Sequence, residues 1–155
     1  MILLPSDPAA ERSYLASLML TKSRRRLLRM LNSIKPAGRD VFNDPWHVTL
    51  YDDIGATWKA HGHCDGVLVM AQMRAAGHWV DNLKDVAGNS LPDLVAVFNT
   101  VPSAAHGEHY GTVILHLWRC RQVYTHAVEL AAAASKGAEL AKLQDALGKL
   151  LGAFE

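Results

Sequence analysis

Apolar residues recur along most of this chain at intervals of three and four, the spacing that lines one face of a helix. The stretch SDPAAERSYLASLML opens with Asp7 as an expected N-cap and Pro8 at the first helical position, where a missing N–H costs nothing. Tyr14, Leu15, Leu18 and Met19 then share a face. Leu20, Leu27, Leu28, Leu31 and Ile34 share another that points roughly the opposite way, and one straight helix on a single surface would not bury both. The pattern therefore predicts a break, with Thr21 or Ser23 capping a second helix, in preference to one long helix held between two surfaces.

Residues 35–45 read as loop from their Pro, Gly, Asn and Asp content. WHVTLYD, residues 46–52, is the most strand-like run, with Val, Thr, Leu and Tyr bounded by proline and aspartate. Apolar positions 68, 71, 75, 79, 83 and 86 predict a helix over 67–87 that ends at Gly88. A short helix follows near 90–101. From Ser103 to about Ser135 the spacing predicts one long helix with an apolar seam at Tyr110, Val113, Leu117, Cys120, Tyr124, Ala127, Ala131 and Ala134. After Gly137, Leu140, Leu143, Leu147, Leu150 and Phe154 form a stripe on a last helix, so the chain is expected to end in a helical hairpin.

The expected fold is thus mainly α: one helical domain over 1–155 with at most a short β element near 46–52. The competing pattern is α+β, with strands near 46–52, 66–70, 93–98 and 112–118. Composition is that of a globular protein, half hydrophobic and a fifth charged. The formal net charge of +1 leaves any attraction to nucleic acid to a local patch. Two cysteines are too few for a disulfide framework and suit a reducing compartment, so a cytoplasmic location is expected. The opening residues lack a basic n-region and do not read as a secretory signal, and no run is long enough to span a bilayer.

Four constellations carry candidate chemistry. The first is the basic segment KSRRRLLRML, where Lys22, Arg24, Arg25, Arg26 and Arg29 form a cluster on the helix that carries the leucines. Such a face binds phosphates or an acidic protein, although no recognition helix follows and no aromatic platform is interleaved. The second is AHGHCDG. Its His61, His63 and Asp65 resemble, over five residues, the His-x-His-x-Asp metal-binding core of the metallo-β-lactamase-fold hydrolases. That resemblance implies zinc or another divalent metal, but the family motif continues with a histidine where this chain has Gly66, and its further ligands come from a much longer chain. A more generic site would add Cys64 and a distant His78 or His109. The plainer expectation is that Asp65 caps the next helix and the histidines are partly solvated.

The third is WHVTL, whose His47 and Thr49 are similar to the His-x-Thr motif of the 2H phosphoesterases. The resemblance implies a histidine acid or base beside a phosphate-holding threonine. The family needs two copies, and neither His116-Leu117-Trp118 nor His126-Ala127-Val128 offers the second hydroxyl. The fourth is a polar row on the long helix, His109, Thr112, His116, Arg119, Gln122, His126 and Glu129, expected to face water or a partner. No nucleophile motif, phosphate loop or dinucleotide fingerprint is present.

These readings converge on a non-enzymatic helical regulatory, inhibitory or adaptor protein without a cofactor. It is expected to dimerise through residues 110–154 and to hold a protein or nucleic acid, not a membrane, through Lys22, Arg24, Arg25, Arg26 and Arg29. The alternative is a small metal-dependent hydrolase or phosphoesterase using His47, Thr49, His61, His63 and Asp65.

Overall fold

The computed structural model describes residues 3–79 and 97–155. Six α-helices order this part of the chain: α1 (Pro8–Leu20), α2 (Arg24–Ser33), α3 (Pro45–His61), α4 (Gly66–Ala75), α5 (Gly107–Ser135) and α6 (Leu140–Gly152). Short 3-10 turns lie at Gly38–Val41 and Ala104–His106, and the described residues contain no strand. They gather into two compact units, Asp7–Leu115 and residues 3–6 with His116–Glu155.

In the Asp7–Leu115 unit, α1 begins as its sequence predicts. The Asp7 carboxylate accepts from the Ala10 N–H at 2.9 Å, and Pro8 occupies the first turn. Tyr14, Leu15, Leu18 and Met19 are all buried. The predicted break is present: Thr21 is extended, and Ser23 caps α2 by accepting from the Arg26 N–H at 3.3 Å. Tyr14 ties the two helices together by donating its hydroxyl to the Met30 carbonyl at 2.9 Å. On α2 the buried positions are Leu27 and Met30, followed by Ile34, whereas Leu28 is 50% exposed. The leucine face is therefore narrower than its spacing implies, and Met30 completes it.

The short β element at 46–52 is corrected: this run opens α3. Asp44 accepts from the Trp46 N–H at 2.8 Å, Pro45 takes the first position, and Gly62 ends the helix in the left-handed region at φ 69°. His47, Leu50, Ile54 and Thr57 turn inward at helical intervals. β-Propensity is a weak preference of about 1 kcal/mol across the whole scale, and this core-facing stripe outweighs it. The other strands of the α+β alternative are corrected too. Residues 66–70 start α4, 112–118 lie inside α5, and of 93–98 the two described residues are helical.

The helix predicted over 67–87 is shorter than its pattern. Here α4 stops at Ala75, Gly77 turns with φ 73°, and Val69 and Met73 are the buried residues. The remainder of that prediction from 80 on, with most of the helix near 90–101, lies outside the described residues.

The long helix is present as α5, but its packed face in this unit is rotated from the expected seam. Gly111, Ile114 and Leu115 are buried, while Tyr110 and Val113 are only half-buried. A β-carbon at Gly107 would collide with the Met30 sulfur, and one at Gly111 with the Ser33 hydroxyl and the Tyr14 ring. Two glycines thus let the start of α5 lie close against α1 and α2, a contact that hydrophobic spacing does not register.

The second unit is the predicted C-terminal hairpin. Beyond α5, Gly137 takes φ 65°, and α6 returns so that Arg119 donates to the Glu155 carbonyl at 3.4 Å. Arg121 donates to the Pro5 carbonyl at 2.9 Å. No residue of α6 is buried, and Leu140, Leu147, Leu151 and Phe154 are exposed.

Candidate interaction surface

The most strongly charged feature of the Asp7–Leu115 unit is α2. No acidic residue occurs between Glu11 and Asp40, and all of Lys22, Arg24, Arg25, Arg26 and Arg29 are exposed. Arg29 lies 3.3 Å from Glu108, a half-exposed pair of small energetic weight. Lys22, Arg24, Arg25 and Arg26 meet no carboxylate among the described residues. Arg24, Arg25 and Arg26 are the first three residues of the helix, and its first turn has no acid. The partial positive charge of a helix N-terminus repels cations, typically by about 0.3–1 kcal/mol each. Three arginines at this position oppose the stability of their own helix.

Beside α2 runs a groove of about 290 Å³ lined by Leu18, Leu27, Leu31, Tyr51, Ile54 and Trp58, with Asp52 and Gly55 at its edge. The Trp58 indole donates to the Leu18 carbonyl at 3.3 Å, and Tyr51 packs on Phe42 with ring centroids 5.2 Å apart. Burial raises the Tyr51 hydroxyl above the usual range, with the nearby Asp52 charge adding to the effect. Asp52 itself is held by Arg39 at 2.8 Å. Reading 46–52 as a strand hides the helical spacing that puts Tyr51, Gly55 and Trp58 on one side of α3. The sequence signal for them is Asp44-Pro45, the same cap-and-proline pair that opens α1.

The phosphoesterase reading of His47 and Thr49 is overturned by their surroundings. Both are on a helix, two positions apart and so facing nearly opposite directions. The His47 ring is 3% exposed, and its Nδ1 lies 2.5 Å from the buried Glu11 carboxylate. The other Glu11 oxygen accepts from the Asn43 N–H at 2.8 Å. Thr49 donates its hydroxyl to the Pro45 carbonyl at 3.2 Å. Glu11 and His47 thus form an interior pair, while the Thr49 hydroxyl is spent on its own helix at the surface. A second pair, missed in the sequence, joins the buried Asp53 carboxylate to His78 at 2.7 Å.

In AHGHCDG, Asp65 is the N-cap of α4 and accepts from the Leu68 N–H at 2.9 Å. His61 and His63 are exposed, their ring centroids 6.2 Å apart. Cys64 is a buried free thiol, pushed up to about 12 by burial and secondarily by Asp65. Among the described residues no three His, Cys, Asp or Glu side chains gather where a metal ion would be held. On the polar row of α5, His109, Thr112 and His116 are exposed and His126 lies 3.2 Å from Glu129. No described helix is long and apolar enough to cross a membrane.

Fold and surface of the described residues together define a class: a helical bundle that carries a helical hairpin and an exposed cationic helix. No protein-family model matches the sequence. The chain is similar to the replicative DNA helicase DnaB of Mycobacterium leprae (strain TN), with 28% identity over 144 residues that make up 91% of this chain and 22% of that protein. Among solved structures it resembles the N-terminal domain of DnaB helicase from Mycobacterium tuberculosis, with a TM-score of 0.73, 22% identity, and coverage of 97% of this chain and 99% of that one. The fold is that of the helicase's N-terminal domain.

Proposed function

We propose that this chain is a helical, non-enzymatic adaptor or regulatory module of DNA replication that associates with copies of itself and docks a macromolecular partner on α2. Likeness to the N-terminal domain of a replicative helicase supports the setting, and a cytoplasmic location is part of the same proposal. The observation that carries the reading is the run Arg24, Arg25 and Arg26 at the start of α2, without a carboxylate partner among the described residues and electrostatically unfavourable at a helix N-terminus. Residues that lower the stability of their own helix are retained for a contact the isolated chain does not make. Self-association is proposed for the hairpin, whose Leu140, Leu147, Leu151 and Phe154 offer an apolar surface unusual for a monomer.

The test is a split between stability and binding. Changing Arg24, Arg25 and Arg26 to Glu should raise Tm by a few degrees, since acids suit a helix start. The same variant should lose low-salt binding both to a DnaB-type helicase and to a DNA oligonucleotide, whichever of the two the wild type binds. A lowered Tm, or unchanged binding to both, would refute the reading. The module is proposed to work without a metal: protein purified without a histidine tag should hold less than about a tenth of an equivalent of zinc, since structural zinc survives purification.

A further inference from the structure

The groove beside α2 contains an anomaly on α3. Gly55 sits in the middle of a 17-residue helix, where glycine costs stability relative to alanine. A β-carbon built on it meets nothing within 4 Å. Close packing among the described residues therefore does not require the glycine, in contrast to Gly107 and Gly111, where any side chain would collide. Gly55 is exposed at the groove edge, and its bare backbone leaves room for atoms that come from outside.

The shape and lining indicate what those atoms belong to. The floor is Leu18 and Ile54, exposed by 1% and 2%. One wall is Leu27 and Leu31, a turn apart on α2; the other is Tyr51, Gly55 and Trp58, spread over two turns of α3. At 1.5 Å per residue that wall runs for about 10 Å, the span of apolar anchors at i, i+4 and i+7 on an entering helix. A volume of 290 Å³ is at the lower limit of small-molecule pockets, roughly 300 Å³, and suits a few aliphatic side chains. Leu28, half exposed on the solvent side of α2, extends the apolar strip. Exposed cations lie one helical turn beyond the lining residues, Arg24 before Leu27 and Lys59 after Gly55. The groove's own anion, Asp52, is already paired with Arg39. The α2 wall is aliphatic and the α3 wall aromatic; the Trp58 indole is already spent on the Leu18 carbonyl, which leaves the Tyr51 hydroxyl as the one side-chain polar group of the two walls.

We infer that this groove receives an amphipathic helix of a partner protein. Two or three aliphatic side chains enter it, the partner helix approaches closely over Gly55, and acidic side chains flank the anchors to meet Arg24 and Lys59. The inference rests on the reading of α2 as a partner surface and adds the chemistry of the partner.

Selection of a displayed library of random 20-residue peptides against the whole chain tests it. Enriched peptides should carry apolar residues at i, i+3 or i+4, and i+7, with Asp or Glu beside them. Synthetic versions should lose at least tenfold in affinity against Gly55→Leu, and against Arg24→Glu with Lys59→Glu, and should weaken as salt is raised. Gly55→Leu should melt no lower than the wild type, because the space is open and leucine favours helix, so that lost binding is not lost folding. No enrichment, or peptides lacking the acidic flank, would overturn the inference. Binding that falls on charge reversal but survives Gly55→Leu keeps α2 as a partner surface and removes the groove; binding indifferent to both removes the two readings together. A 30-base-pair DNA duplex is the other probe: if its binding is lost in Gly55→Leu, the occupant is nucleic acid and the helix is excluded.

Discussion

The unit Asp7–Leu115 and the C-terminal hairpin use apolar residues in opposite ways. In the first, Tyr14, Leu15, Met30, Ile34, Leu50 and Val69 are fully buried, the Glu11–His47 pair is folded in with them, and the buried Asp53 is met by His78 from the surface. In the second, α6 buries nothing, and Leu140 and Phe154 are 70% and 67% exposed. The first is specified by its interior: its side chains pack closely, and among the described residues the Trp46 indole N–H is the buried side-chain group left without a partner. The second is a regular helix pair whose amphipathic pattern is completed, on the proposed reading, by another copy. Stability and assembly are therefore expected to respond to different substitutions.

The largest effect should come from the interior. Glu11→Ala leaves the His47 ring and the Asn43 N–H without their acceptor, and a buried polar group left unsatisfied costs about 1–3 kcal/mol. Urea denaturation should show this as a lower midpoint. Replacing both residues, Glu11→Leu with His47→Phe, should recover most of the loss, because the cost lies in the orphaned group. If the single variant were as stable as the wild type, the contrast between the two regions would disappear.

Next in size is assembly. Leu143→Asp with Leu147→Asp should take the mass measured by light scattering from twice 17.0 kDa to 17.0 kDa. The midpoint of the Asp7–Leu115 unit should change by less than about 0.5 kcal/mol, the usual range for surface positions. A wild-type mass of 17.0 kDa at micromolar concentration would remove self-association from the proposal.

The smallest effect is an alkaline one in the packed unit. Burial raises the Cys64 thiol to about 12 and also raises the hydroxyls of Tyr14 and Tyr51. Each group folds preferentially in its neutral form, so its contribution is complete below its unfolded pKa and is lost as pH climbs toward the folded value. For Cys64 the window runs from about pH 8.5, the free-thiol value, to about 12. Stability measured across it should fall, and Cys64→Ser should flatten part of that fall.

Local signals carried some elements entirely. Asp7-Pro8, Ser23 and Asp65 announce three helix starts, because an N-cap is a bond between a side chain and backbone donors a few residues away. The hairpin is legible for a similar reason, since Gly137 and two amphipathic stripes are local features. The basic cluster on α2 is a matter of composition; its unfavourable seat on the helix start becomes evident once the cap at Ser23 is fixed.

What only the tertiary structure decided depends on residues distant in sequence. Strand propensity in WHVTLYD gives way because a helix there sets His47 against Glu11 and Leu50 into the core, contacts that span more than thirty residues. The seam of α5 is rotated toward Gly107 and Gly111, residues with no hydrophobicity to report, because close approach to α1 and α2 depends on the absence of a side chain. The groove exists only where α1, α2 and α3 meet. The sequence alone determined helical character, the caps, the turn at Gly137 and the charge of α2, since each is set within a turn or two of chain. Which faces were buried, which histidines lost access to solvent and where a surface remained open were decided by packing, because burial depends on every neighbour at once.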